Sequence, residues 1–74
     1  MKNYNPNKMA TESQNRAILA YMRSGKRITQ LVATELFGCM RLPSRIYDIK
    51  KAGIIVKDLF IKLASNKRVK EYWL

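Results

Sequence analysis

Seventy-four residues make a single domain, and a chain this short buries only about 60% of its unfolded-chain surface, so its core has to be compact. Fifteen Lys and Arg against five Asp and Glu give a net charge of +10 and a pI near 10.2, a field that favours a polyanion as partner, either nucleic acid or an anionic membrane surface. No apolar run approaches the roughly 20 residues that span a bilayer, and the polar opening Met1-Lys2-Asn3-Tyr4-Asn5-Pro6 lacks the apolar core of a signal peptide, so a cytoplasmic location is expected.

The chain has no His and a single Cys, Cys39, which excludes an internal disulfide and a Cys/His zinc site. Cys39 lies in a small, apolar turn without a His to act as base, and a buried structural thiol is expected there. The five acids, Glu12, Glu35, Asp48, Asp58 and Glu71, are scattered, with no pair spaced for general acid/base work or for a metal cluster. The expectation is a protein that is not an enzyme and uses no cofactor or metal.

Residues 1–10 contain three Asn, one Pro and two Lys among few large aliphatics, and are expected to form a flexible arm ahead of one domain over residues 11–74. Lys2 and Lys8 would trail along phosphate if that arm followed a duplex. Thr11-Glu12-Ser13-Gln14 then has the form of a capping box, with Thr at the cap and Gln three residues later. Ile18, Leu19 and Met22 recur at helical spacing and Ser24-Gly25 ends the pattern, which predicts a first helix over about residues 12–24.

Lys26-Arg27 is a short basic connection, and Thr29 is a second cap. Residues 30–37 form a short second helix with Val32, Ala33 and Leu36 inward and Thr34 and Glu35 outward; Ala33 is small enough to permit a close helix crossing. Gly38 redirects the chain. A third helix starts near Arg41-Leu42-Pro43, because Pro is tolerated where first-turn amides have no helical acceptor. Leu42, Ile46 and Ile49 make its apolar stripe and Gly53 closes it. At 100° per residue, Ser44, Asp48 and Lys51 fall opposite the stripe, flanked by Arg41, Arg45 and Tyr47, and these six are expected to face DNA. Such residues ordinarily form a solvated polar face. The conjunction of a short helix, a glycine turn and a basic helix in a +10 chain favours the functional reading.

After Gly53 the pattern becomes extended. Ile54-Ile55-Val56 is β-branched, Leu59 to Leu63 follows, and Arg68 to Leu74 alternates, with Ala64-Ser65-Asn66-Lys67 as the hairpin turn. The expected fold class is α+β, a winged helix-turn-helix in which three helices are followed by a two-stranded antiparallel hairpin, the wing. Asn66, Lys67, Arg68 and Lys70 at its tip would reach phosphate or a minor groove, or would only keep the hairpin edge from aggregating. Tyr72 and Leu74 are expected inward, leaving Trp73 exposed or engaged in a dimer contact.

In order, Ser13-Gln14-Asn15-Arg16, Ile28-Thr29, Leu36-Phe37-Gly38-Cys39, Arg41-Leu42, Arg45-Ile46, Asp48-Ile49, Gly53 and Tyr72-Trp73-Leu74 resemble a family of small helix-turn-helix proteins of phages and prophages with winged-helix character. The resemblance covers residues 13–74; Pro43 departs from the small residue expected at its position. It implies DNA binding through the third helix and the hairpin. The expected function is thus a DNA-binding protein of phage type, a transcriptional regulator or recombination accessory factor. Double-stranded DNA is its expected partner, bound through the major groove and backbone, with a homodimer or cooperative assembly on DNA. The alternative is a winged-helix module that binds a host protein or nucleoprotein complex, using the aliphatic wing with Phe60 and Trp73. RNA is disfavoured because no aromatic-rich sheet motif is present, and a membrane because no helix sets a basic face against a broad aromatic one.

Overall fold

The structure, a computed structural model, describes residues 10–74. The arm expected over residues 1–10, with Lys2 and Lys8, lies outside the described residues except for Ala10. Three helices, α1 (Thr11–Arg23), α2 (Gln30–Phe37) and α3 (Leu42–Lys51), are followed by an antiparallel hairpin of β1 (Lys57–Lys62) and β2 (Arg68–Trp73). The expected architecture is therefore the observed one.

Helix α1 starts differently from the expected capping box. Ala10 occupies the cap with no side-chain hydrogen bond, and Thr11 is already helical. Gln14 is buried, and its Nε2 donates to the Gly38 carbonyl at 3.3 Å, across the core at the turn after α2. The buried Gln14 amide thus provides a partner for the carbonyl of the turn after α2.

Thr29 caps α2, its Oγ1 accepting from the Val32 amide at 3.4 Å. The inward direction of this two-turn helix runs along Gln30, Ala33 and Phe37: Ala33 is fully buried, and Phe37 meets Tyr21 of α1 edge to face at 5.8 Å. Leu36, expected inward, is rotated away from that line and is exposed. Gly38 ends the helix in the left-handed region at φ 61°, where its amide donates to the Thr34 carbonyl and that of Cys39 to the Ala33 carbonyl.

Helix α3 places Pro43 in its first turn and buries Leu42, Ile46 and Ile49, as the periodicity predicts. Its first amide is held from α2: Gln30 Oε1 accepts from Leu42 N at 2.8 Å, while Gln30 Nε2 donates to the Cys39 carbonyl at 2.7 Å. One side chain thereby satisfies a donor and an acceptor of the turn that joins the two helices. The Cys39 side chain is wholly buried, in keeping with a structural thiol.

The run Ile54-Ile55-Val56 precedes β1 and forms no part of it; Val56 is buried and Ile55 is 82% exposed. The hairpin pairs Lys57 with Trp73 through Lys62 with Arg68. Its turn closes with Asn66 N donating to Leu63 O and Leu63 N donating to Lys67 O, and Asn66 adopts φ 70°, a conformation that Asn tolerates better than most residues. Ile28 and Tyr72 exchange both backbone hydrogen bonds at 2.9 Å. This short bridge ties β2 to the connection between α1 and α2, so the wing is anchored to the helical body.

Tyr72 is buried and Leu74 packs partly on the core, as expected. Trp73 is neither bare nor free: the Arg27 guanidinium lies over its ring at 4.1 Å while pairing with Glu71 at 3.3 Å. The core unites Ile18 and Met22 of α1, Ile28, Ala33, Cys39, the α3 stripe, Val56 and Tyr72. Full burial of Ile18, Met22, Ile28 or Leu42 is worth roughly 1.5–3 kcal/mol each.

Candidate nucleic-acid interface

The open face of α3 is centred on Tyr47, which is 62% exposed, with the Lys51 ammonium 5.7 Å from its ring centroid. Tyr47 is also the helical neighbour of Ser44, Lys50 and Lys51, three or four residues away. Arg41, at the N-cap of α3, is exposed, and Ser44 is half-exposed.

Two of the six residues expected on this face sit on its covered flank. Asp48 Oδ2 accepts from Arg45 Nε at 3.2 Å and from Asn15 Nδ2 of α1 at 3.3 Å, and the Arg45 Nη2 lies 3.0 Å from the same oxygen. The Arg45 side chain retains only 18% of its exposure and that of Asp48 33%. A helical wheel treats everything opposite the apolar stripe as open, but α1 packs against this side of α3 and turns Arg45 and Asp48 into an interhelical tie. The open face is accordingly rotated toward the hairpin. It gains Lys50, which is exposed and was not among the six residues expected there.

Lys50 leads directly to the wing. Its Nζ is 3.8 Å from Asp58 Oδ2 on β1, and Lys70 Nζ on β2 is 3.7 Å from Asp58 Oδ1. One carboxylate thus sits between an ammonium from α3 and one from the hairpin. From Lys70 the surface continues over Phe60, whose ring centroid is 5.0 Å from Lys70 Nζ and 5.2 Å from Arg68 Cζ. Lys62 pairs across the strands with Arg68 and lies on the same face. The tip residues Asn66 and Lys67 are exposed; Asn66 shapes the turn by its backbone conformation, and Lys67 lends its carbonyl to close it. The result is one cationic strip, Tyr47 and Lys51 to Lys50, Lys70 and Arg68, interrupted by the single acid Asp58.

Among the described residues, no helix is long and apolar enough to cross a membrane. Three helices, the second and third joined by a glycine turn, followed by an antiparallel hairpin beside the open face of the third, define a winged helix-turn-helix, a class of domain that binds DNA. A family model described as a winged helix-turn-helix domain matches residues 13–74, and the chain belongs to that family, which makes DNA its indicated partner. No curated protein and no solved structure matches the chain.

Proposed function

We propose that the protein is a double-stranded DNA-binding regulator that seats α3 in the major groove and lays the β1–β2 hairpin on the adjoining backbone. The observation that supports this reading best is the cationic strip from Lys51 through Lys50 and Lys70 to Arg68, which joins the two elements that a duplex would meet together. Lys50, Lys51, Lys70 and Arg68 would supply affinity through phosphate contacts and counterion release, and Arg41, at the N-terminus of α3, is the candidate for a base-edge contact such as guanine O6 and N7. Arg45 and Asp48 would act indirectly, by fixing α3 against α1. The setting we propose, from the resemblance to phage and prophage proteins, is cytoplasmic, with a role in transcription or as a recombination accessory factor. The protein acts there by binding and not by catalysis.

Gel-shift titration of Arg41→Ala and Lys51→Ala tests the assignment: both variants are expected to weaken binding while remaining folded, and unchanged affinity would overturn it. Selection from a random DNA pool at moderate salt is expected to enrich one motif, and a two-fold symmetric motif would support a homodimer on DNA. Exposed Leu31, Leu36 and Met40 on and just after α2 favour a second reading, a host-protein contact on the side of α2. Weak, sequence-independent DNA affinity together with loss of partner binding in Leu36→Ser would support it.

A further inference from the structure

The hairpin face that continues from α3 carries Asp58, Phe60 and Lys62 on β1, with Tyr72, Lys70 and Arg68 opposite them. Tyr72 is buried and Asp58 is engaged by two lysines, but Phe60 is 57% exposed. The Lys70 ammonium and the Arg68 guanidinium both lie about its ring, at 5.0 and 5.2 Å from the centroid. Burying such a ring in a lipid layer or an apolar protein surface would require desolvating both cations, which is costly. A flat π surface joined to an anion meets all three groups at once, and that is the chemistry of a nucleotide.

We propose that Phe60 is a base-stacking site: with α3 seated on DNA, the ring stacks on a base that has left the duplex stack, while Arg68 and Lys70 take the flanking phosphates. This rests on the DNA-binding reading above and adds a substrate preference to it, for duplex DNA carrying an unpaired base beside the α3 footprint over fully paired duplex. The placement suits that geometry. Phe60 lies two residues beyond Asp58, about 7 Å further along the strand from the Lys50 contact, which keeps the base within reach of the same bound duplex. An unpaired base leaves the stack at lower cost than a paired one, so the stacking free energy appears as a difference in affinity between the two DNAs.

The test compares a short mixed-sequence duplex with the same duplex carrying one bulged fluorescent adenine analogue. The wild-type protein is expected to bind the bulged DNA more tightly, by roughly 5- to 100-fold, and to change the fluorescence of the analogue. Phe60→Leu keeps apolar bulk on the strand but has no π face; it is expected to bind the paired duplex as the wild type does and to lose both the preference and the signal. Phe60→Tyr should retain both. Equal wild-type affinity for the two DNAs, or an intact preference in Phe60→Leu, would overturn the stacking site. Failure of the underlying reading would look different: Arg41→Ala and Lys51→Ala would then bind paired duplex as well as the wild type does.

Discussion

Asp58 sets one negative charge between two lysines that the proposed interface needs, Lys50 at 3.8 Å and Lys70 at 3.7 Å. In the free protein the carboxylate offsets repulsion between the two ammonium groups; on DNA it competes with phosphate for them. Both ion pairs are partly exposed, so they contribute little to stability, whereas a charge facing phosphate acts directly on binding. Asp58→Asn is therefore expected to raise affinity for duplex DNA on the order of fivefold at low salt, with little change in the unfolding midpoint, as read by fluorescence anisotropy and urea titration. Tyr72 gives a prediction in pH. Burial, and secondarily the charge of Asp58, raise the pKa of its phenol above the ordinary value of 10.0. A raised folded-state value means that the neutral phenol is favoured by folding, so its contribution is complete below the unfolded pKa and is lost as pH rises through the folded one. Unfolding titrations above that ordinary value should show a steeper alkaline loss of stability in the wild type than in Tyr72→Phe.

At the scale of elements, polar side chains fasten the turn of the helix-turn-helix alongside its buried apolar core. Gln30 alone serves the Cys39 carbonyl, the Leu42 amide and the Thr34 hydroxyl, and Gln14 reaches the Gly38 carbonyl from α1. Removing Gln30 leaves the first amide of α3 without its partner and the Cys39 carbonyl with only the Thr34 hydroxyl, at 3.1 Å, as donor. Gln30→Ala is expected to cost about 1–3 kcal/mol in urea unfolding and to loosen the start of α3, lowering DNA affinity with it. Gly38→Val is expected to be comparably harmful, because a β-branched residue is poorly accommodated at φ 61°. The interhelical tie of Asn15, Arg45 and Asp48 belongs to the same scale: it adds a polar contact to α1 on the flank of α3, whose buried Leu42, Ile46 and Ile49 stripe already sets which residues face outward.

For the molecule as a whole, an excess of ten positive charges on a domain this small makes association with DNA steep in salt. If Arg41, Lys50, Lys51, Arg68 and Lys70 each neutralise one phosphate, the plot of log K against log salt should have a slope of about −4.5 per protomer. A slope near zero would exclude the cationic strip as the binding surface. A cooperative binding isotherm, with the slope per DNA site about doubled, is the expected signature of two protomers bound together.

The order of elements was legible in the amino-acid sequence because each carries a local signal: the Ile18 and Met22 stripe, the cap at Thr29, the Gly38 turn, the Leu42, Ile46 and Ile49 stripe and the alternation through β2. The partners of polar side chains were not, since periodicity reports which way a residue points from its own helix and is silent on what covers it. Gln14 looked like a local cap and became a clamp on the distant Gly38 turn, and Leu36 looked inward until the Gln30, Ala33 and Phe37 line was turned toward the core. The same limit governs the candidate site. Sequence by itself determined that α3 is a basic helix followed by a basic hairpin. Only the tertiary structure decided that α1 covers Arg45 and Asp48, that Lys50 and Lys70 meet at Asp58, and that Phe60 is exposed beside Lys70 and Arg68, because each depends on contacts between residues apart in the chain.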